Sequence, residues 1–371
     1  MPNPPRAPFT SLIASLPVTV PFVGPEALQR TRGLLIRARI GANESVFGPS
    51  PKAIAAMRQA AAEAWKYGDP ENFEVRQALA AKHGVRVENI AVGEGIDGLF
   101  AYLARMFIEP GVTVATSLGA YPTFNFHISG YGGRLLTVPY RADSEDPQAL
   151  LALAAREKAR LIYFANPDNP MGSWHGGETI RQLIAGVPDG ALLCLDEAYI
   201  DFAPDGTSPP IEPDNPKVIR FRTFSKAHGL AGTRIGYAIA EAGLIRRFDA
   251  IRNHFGVNRL AQAAALASLA DAGHIAWVAE QVRLARDRIA AIAAAAGFKA
   301  LPSATNFIAI DCGRDGVYAK SIVDGLLARG VFVRMPGVAP LNRCIRVSAG
   351  TAEDLDVFEA ALGEIVSSKR D

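Results

Sequence analysis

Thr223-Phe224-Ser225-Lys226-Ala227-His228-Gly229-Leu230-Ala231-Gly232-Thr233-Arg234 follows directly on a run of strand character at 218–222. Lys226 therefore falls just beyond a strand's C-terminal end. In an open α/β sheet that edge is where ligands bind. A lysine amine there can form an imine with a carbonyl cofactor. The hydroxyls of Thr223 and Ser225 and the guanidinium of Arg234 can hold an anion beside it, because the arginine fork suits phosphate. Taken alone, a surface lysine after a strand, with hydroxyls capping a turn, reads the same way.

The rhythm extends outward from this stretch. Runs at 90–92, 112–115, 135–138, 161–165, 192–195, 218–222 and 235–239 have strand character, and helical patterns lie between several of them, such as 97–107 and 180–185. Continuously apolar runs fit strands buried on both faces. Strands alternating with helices mean βαβ units, hence an α/β fold with a mostly parallel sheet flanked by helices. Further on, Asn258 can cap a helix over 260–269, and a long helix follows over 275–296. Strand, helix, strand and strand patterns at 307–311, 318–329, 331–335 and 344–348 make a smaller C-terminal α/β unit. The predicted division is an N-terminal arm at 1–42, a large domain at 43–256 and a small domain at 257–371. Prolines 2, 4, 5, 8, 17, 21 and 25 give the arm an extended reading.

Composition bounds the partners. The chain has 371 residues, enough for two or three domains. Lys plus Arg is 39 against 37 Asp plus Glu, a net charge of +2, so nothing points to nucleic acid or an anionic membrane. Cys194, Cys312 and Cys344 are odd in number and far apart, which argues for buried thiols rather than a disulfide scaffold or zinc ribbon; no metal is expected. Residues 1–23 carry one cation, Arg6, and Pro17 and Pro21 break their apolar stretch, unlike a signal peptide. The longest all-apolar run, 289–296, is far short of the roughly 20 residues a membrane span needs. A cytoplasmic location is the resulting expectation.

Three further motifs carry chemistry. Leu195-Asp196-Glu197-Ala198-Tyr199 sets a carboxylate at the end of an apolar strand, where burial without a partner is costly. A protonated pyridine nitrogen is a suitable partner, and Tyr199 can reach the ring's 3-oxygen. An aspartate capping a following helix fits the same residues. Asn166-Pro167-Asp168-Asn169-Pro170-Met171-Gly172 offers the Asn169 amide as a donor to a phenolate, or simply forms a proline-punctuated turn. Val92-Gly93-Glu94-Gly95-Ile96-Asp97-Gly98 is strand, glycines and helix start, where free backbone N–H groups can hold a phosphate. It is not a full dinucleotide fingerprint.

Together, in this order, these segments resemble fold-type I aminotransferases that use pyridoxal 5'-phosphate (PLP), and within them the histidinol-phosphate aminotransferase family. The similarity covers nearly the whole chain from about Asn43. It implies that Lys226 is the Schiff-base lysine and proton shuttle, that Asp196 partners the pyridinium, and that Asn169 and Tyr199 donate to the 3-oxygen. It implies a phosphate site from Gly95, Ile96 and Asp97, completed by Thr223, Ser225 and Arg234. Phe124, in Tyr121-Pro122-Thr123-Phe124, matches the aromatic residue stacked on the ring. Tyr67 matches a tyrosine reaching the cofactor phosphate of a neighbouring subunit, so a homodimer with shared sites is expected. Asn43, Arg334 and Arg346 match substrate-binding positions, Arg346 for the carboxylate. The implied partners are a small-molecule amino donor and a 2-oxo acid, with histidinol phosphate and 2-oxoglutarate as the leading pair.

The chain also departs from the pattern. Phe124 stands where the family commonly has tyrosine, Met171 replaces a usual threonine, and Asn43-Glu44 lacks the Asn-Pro that usually follows. These departures bear on the substrate rather than on PLP. An aromatic amino acid aminotransferase and a decarboxylase of a phosphorylated amino acid remain alternatives. A PLP-binding transcription regulator would need a DNA-binding domain ahead of the matched region, where only about 42 proline-rich residues stand. His228 reads as structural, and His127 and His175 carry no assigned role.

Overall fold

The computed structural model describes residues 7–18 and 22–368; Pro2, Pro4, Pro5, Arg6 and Pro21 of the expected arm lie outside them. The strands are β1 (Ala38–Arg39), β2 (Ile90–Gly93), β3 (Thr113–Ser117), β4 (Arg134–Val138), β5 (Leu161–Ala165), β6 (Leu192–Asp196), β7 (Val218–Thr223) and β8 (Gly236–Ile239), followed by β9 (Lys299–Ala300), β10 (Phe307–Asp311), β11 (Val331–Phe332) and β12 (Cys344–Ser348). β2 to β8 form one seven-stranded sheet in the order β2-β8-β7-β6-β5-β3-β4. Only β8 runs against its neighbours, β2 and β7. The fold is therefore the α/β architecture expected, with a mostly parallel sheet.

The apolar runs explain the layering. Phe100, Phe124, Tyr163 and Phe221 pack on one face of the sheet. Leu150, Phe164, Ile180 and Leu193 pack on the other. Successive strand residues point to opposite faces, so a run such as Leu161–Ala165 must be apolar throughout. β4 departs from that rule: at the sheet edge, Leu135 and Leu136 are only half-buried. Parallel β3, β5, β6 and β7 all end on one side, so the loops that follow them converge there.

The second sheet has the antiparallel order β12-β10-β9, and β1 pairs with β11 beside it. Helices Ala272–Ala295, Gly316–Ala328 and Ala352–Ser367 cover this unit through Val282, Ile322 and Phe358. Ala38 and Ile40 belong to the same core. The helix Arg259–Leu269, capped by Asn258 as expected, sits elsewhere. Its Ala261, Ala264 and Ala265 share a core with Ala53, Leu79 and Tyr237 of the large-sheet side.

Two expectations need correction. The arm is not simply extended, since it holds the helices Ser11–Ser15 and Pro25–Arg32. Pro25 opens the second because a first-turn N–H has no intrahelical hydrogen bond to lose, and Gly33, at φ 65, closes it. The strand expected at 331–335 is only Val331–Phe332, with Arg334 bridging to Arg346. The three cysteines are free and buried. Among the described residues no helix is long and apolar enough to cross a membrane.

Candidate active site

Asp196 is the last residue of β6, and Asn169 and Lys226 follow the ends of the adjacent parallel strands β5 and β7. Asp196 is buried, with Oδ2 accepting from the Tyr163 hydroxyl at 2.8 Å and Oδ1 from the Ala198 N–H at 3.0 Å. Both donors are neutral. Burial pushes its carboxyl up to about 6, against the pull of those bonds. A cationic ring nitrogen would supply the missing counter-charge.

Lys226 Nζ donates to the Asn43 carbonyl at 3.0 Å and lies 5.5 Å from the centre of the Tyr199 ring. Burial, then the Arg346 charge, pushes its amine down to about 8. A substantial neutral fraction thus exists near neutrality, as a nucleophilic lysine needs. Asn43 holds φ 54, a left-handed conformation that asparagine tolerates better than most residues. Its side chain donates to Tyr199 Oη at 3.0 Å and accepts from Ser348 Oγ at 3.0 Å. Asn306 Nδ2 also donates to its carbonyl.

Tyr199 Oη accepts from both Asn43 Nδ2 and Asn169 Nδ2 (3.3 Å). With both lone pairs engaged, its proton is free to donate to a phenolate-type oxygen. Asn169 Nδ2 keeps a second N–H for the same purpose, while Oδ1 accepts from Arg346.

A phosphate cradle lies across the edge. Gly95 has φ 76 and opens the helix Gly95–Phe107, whose first N–H groups receive no side-chain cap. A Cβ at Gly95 would come within 2.6 Å of the Arg234 guanidinium, so only glycine lets that cation close on the helix start. Free amides, a helix N-terminus and an arginine suit an anion. The Thr223 hydroxyl donates to Ser225 Oγ at 2.9 Å, leaving the Ser225 proton to point elsewhere. Asp97 of this turn pairs with His127 Nε2 at 2.8 Å, a contact the sequence reading did not anticipate.

Arg334 and Arg346 are neighbours across a backbone bridge. Arg346 Nη1 donates to Asn169 and Nη2 to the Gly41 carbonyl, and the guanidinium lies 5.2 Å from the Phe307 ring centre. Its Nε is a buried donor with no acceptor. Burial, helped by the Arg334 charge, lowers its proton affinity. Arg334 donates to the Val23 carbonyl at 3.0 Å and sits against Phe22 and Phe332. Two like charges and an orphan donor side by side are a demand for an anion.

Phe124 is placed differently from expectation. It is wholly buried, stacked on Tyr163 (centroids 4.5 Å apart) and edge-on to Phe100. With no exposed surface it has no face to offer a cofactor ring. It falls within the first turn of the helix Pro122–Gly130 and points into the core. Tyr121, the residue just ahead of that helix, borders the site instead: burial raises its hydroxyl, and the charges of Asp97, Asp196 and Arg346 all reach it. Tyr67 is 74% exposed, stacked on Phe255, away from this cluster's hydrogen bonds. His228 is structural as read: buried against Phe224, with Nδ1 2.7 Å from Ser268 Oγ.

The sequence matches the family model described as aminotransferase class I and II over residues 38–362. It is 34% identical to the histidinol-phosphate aminotransferase of Moorella thermoacetica over 359 residues, covering 96% of this chain and 92% of that protein. It is 36% identical to histidinol-phosphate aminotransferase 1 of Mesorhizobium japonicum over 348 residues, 92% and 93% of the two chains. Among solved structures, the histidinol-phosphate aminotransferase of Sinorhizobium meliloti in complex with pyridoxal-5'-phosphate superposes with a TM-score of 0.96. It is 54% identical, over 98% of this chain and 99% of that one. A Thermus thermophilus aspartate aminotransferase variant, 22% identical with a TM-score of 0.80 over 96% and 100% of the chains, shares the fold.

Proposed function

The chain belongs to the class I and II aminotransferases, and from that premise we propose that it uses PLP to move an amino group from histidinol phosphate to 2-oxoglutarate. The observation that carries this reading is the joint geometry of Lys226, Asp196 and the Gly95–Arg234 cradle; a 54% identical relative of the same fold has been solved in complex with pyridoxal-5'-phosphate. The substrate follows the relatives named above.

The residues present fit the cofactor by their chemistry: an uncapped helix start with an arginine, a buried carboxylate and two donors at the strand ends. Arg234, Ser225 and the amides at Gly95 and Ile96 would hold its phosphate, Asp196 its ring nitrogen, and Tyr199 and Asn169 its 3-oxygen. When bound, PLP supplies an electron-withdrawing ring that makes the Cα–H of an attached amine acidic. Lys226 Nζ would take that proton from Cα and return it at C4', across the intervening nitrogen, and its lowered proton affinity suits both directions. The Asn43 carbonyl holds Nζ in place between the two transfers. Arg346 offers its unpaired Nε to a substrate carboxylate, and Arg334 adds a second cation for the phosphate or distal carboxylate. Burial of Tyr199, Asp196 and Asn169 keeps water from competing for these protons.

The reading extends to a cytoplasmic enzyme and to a homodimer with shared sites, the latter supported by the exposed aromatic set Trp65, Tyr67 and Phe255. It also includes the division into an N-terminal arm at 1–42, a large domain at 43–256 and a small domain at 257–371; the helix Arg259–Leu269, just past the second boundary, shares its core with the large-sheet side. The deciding experiment loads the enzyme with PLP and offers a panel of amines, including histidinol phosphate and aromatic amino acids. Conversion of the cofactor absorbance to that of pyridoxamine phosphate should be fastest with histidinol phosphate. Faster conversion by an aromatic amino acid, or release of carbon dioxide, would replace this substrate assignment.

A further inference from the structure

We infer that Asp168 is a positioning residue that sets how tightly Arg346 holds the substrate carboxylate. The inference rests on the reading of Arg346 as the carboxylate site. Asp168 is buried in the loop between β5 and Asn169. Oδ1 accepts from the Tyr140 hydroxyl at 2.8 Å, and Oδ2 accepts from the Met171 N–H at 3.0 Å. Its carbonyl takes the Gly172 N–H and its own N–H reaches the Ser173 carbonyl. Asp168 thus pins both ends of a tight loop. The next residue, Asn169, holds the Arg346 guanidinium. Met171 fixes the loop's far side, packed with Leu301, Ala309, Leu341 and Cys344 of the small unit. That apolar seat accounts for methionine there.

Asp168 acts on Arg346 in two ways, through Asn169 and through space. Each charge favours the ionised form of the other. The other groups facing Asp168 are Tyr140, Glu145 and Asp196; the two acids oppose its ionisation, as does burial, which comes first and pushes its carboxyl up to about 7. The neighbouring Glu145 is itself pushed well up by burial, although Ser117 and the Ala165 N–H bond to it. An ionised Asp168 partly cancels the Arg346 charge, and a protonated one leaves that charge to the substrate. Carboxylate affinity should therefore fall as pH rises through about 7.

The test titrates maleate, a dicarboxylate that cannot react, into the holoenzyme by calorimetry across that range. Asp168→Asn keeps both hydrogen bonds, its amide oxygen accepting from Met171 and its nitrogen donating to the tyrosine oxygen, but removes the charge. At high pH it should bind maleate about three- to tenfold more tightly than the parent, and equally at low pH, the size expected for one partly screened charge. Tyr140→Phe keeps the carboxylate but removes its donor, so the pH midpoint should move upward. Arg346→Gln should lose most maleate binding. If Arg346→Gln loses it while Asp168→Asn follows the parent at every pH, the inference falls and the Arg346 reading stands. Undiminished binding by Arg346→Gln overturns both.

Discussion

The hydroxyl of Tyr163 lies 2.8 Å from Oδ2 of Asp196, reached from the adjacent parallel strand β5. This bond is the main force holding a buried carboxylate ionised against its surroundings. Asp196→Ala should abolish the counter-charge to the cofactor ring and cost turnover several powers of ten, since such electrostatic contributions are worth roughly 3–4 kcal/mol. Tyr163→Phe should do less: with one stabilising bond gone, the carboxyl's proton affinity rises above its present value of about 6. The sign follows directly. The anion is present above that value, so the acid limb of the pH–rate profile should move to higher pH in Tyr163→Phe. An unmoved limb would separate Asp196 from that limb.

Lys226 gives the second pH prediction. Its amine is neutral above about 8, lowered chiefly by burial. Covalent attachment of PLP to the apoenzyme requires the neutral form, so its rate should climb as pH rises through about 8 and level off above. Borohydride should then fix the cofactor on Lys226, and peptide mapping should find the label there. A label elsewhere, or a rate independent of pH, would remove Lys226 from its role.

Gly95 gives the third. Its positive φ and the 2.6 Å approach of a Cβ to Arg234 make Gly95→Ala strained and crowded at once. PLP affinity should fall by about tenfold or more, from strain of about 1–2 kcal/mol on a left-handed alanine plus displacement of the arginine. Equilibrium dialysis with PLP measures it. Unchanged affinity would show that the phosphate does not use this cradle.

Much of the site was legible because its residues follow strand ends. Asn169, Asp196 and Lys226 each stand after an apolar run, and a parallel sheet brings such ends together whatever lies between them. Tyr163 was not legible, because its hydroxyl is hidden inside the apolar run Leu161–Ala165 and only the pairing of β5 with β6 delivers it to Asp196. Phe124 and Tyr121 were exchanged because motif order does not say which side of a helix start faces the core. The helix Phe73–His83 went unread since its buried residues Val75, Leu79 and Ala80 form too sparse a stripe. The arm's helix Pro25–Arg32 was masked by the proline that starts it.

Tyr67 offers the last test, of shared sites. It is 74% exposed, its ring stacked on Phe255 at 4.4 Å, and its backbone carbonyl is held by Arg259. The ring is thus braced on one side and largely exposed, as a residue serving a neighbour would be. Exposed Trp65 and Phe73 flank it, an apolar patch of the kind that marks an interface. In a two-fold dimer each subunit lends one Tyr67 and receives one. Lys226→Ala and Tyr67→Phe chains, each impaired alone, should therefore complement on mixing. A mixed dimer has one site with both lesions and one with neither, so part of the mixture should regain the turnover of the unmutated enzyme. Random exchange puts half the chains in mixed dimers, and one site in each of those is intact. Activity that stays at the level of the two parents, with exchange confirmed by mass spectrometry, would assign Tyr67 to its own subunit.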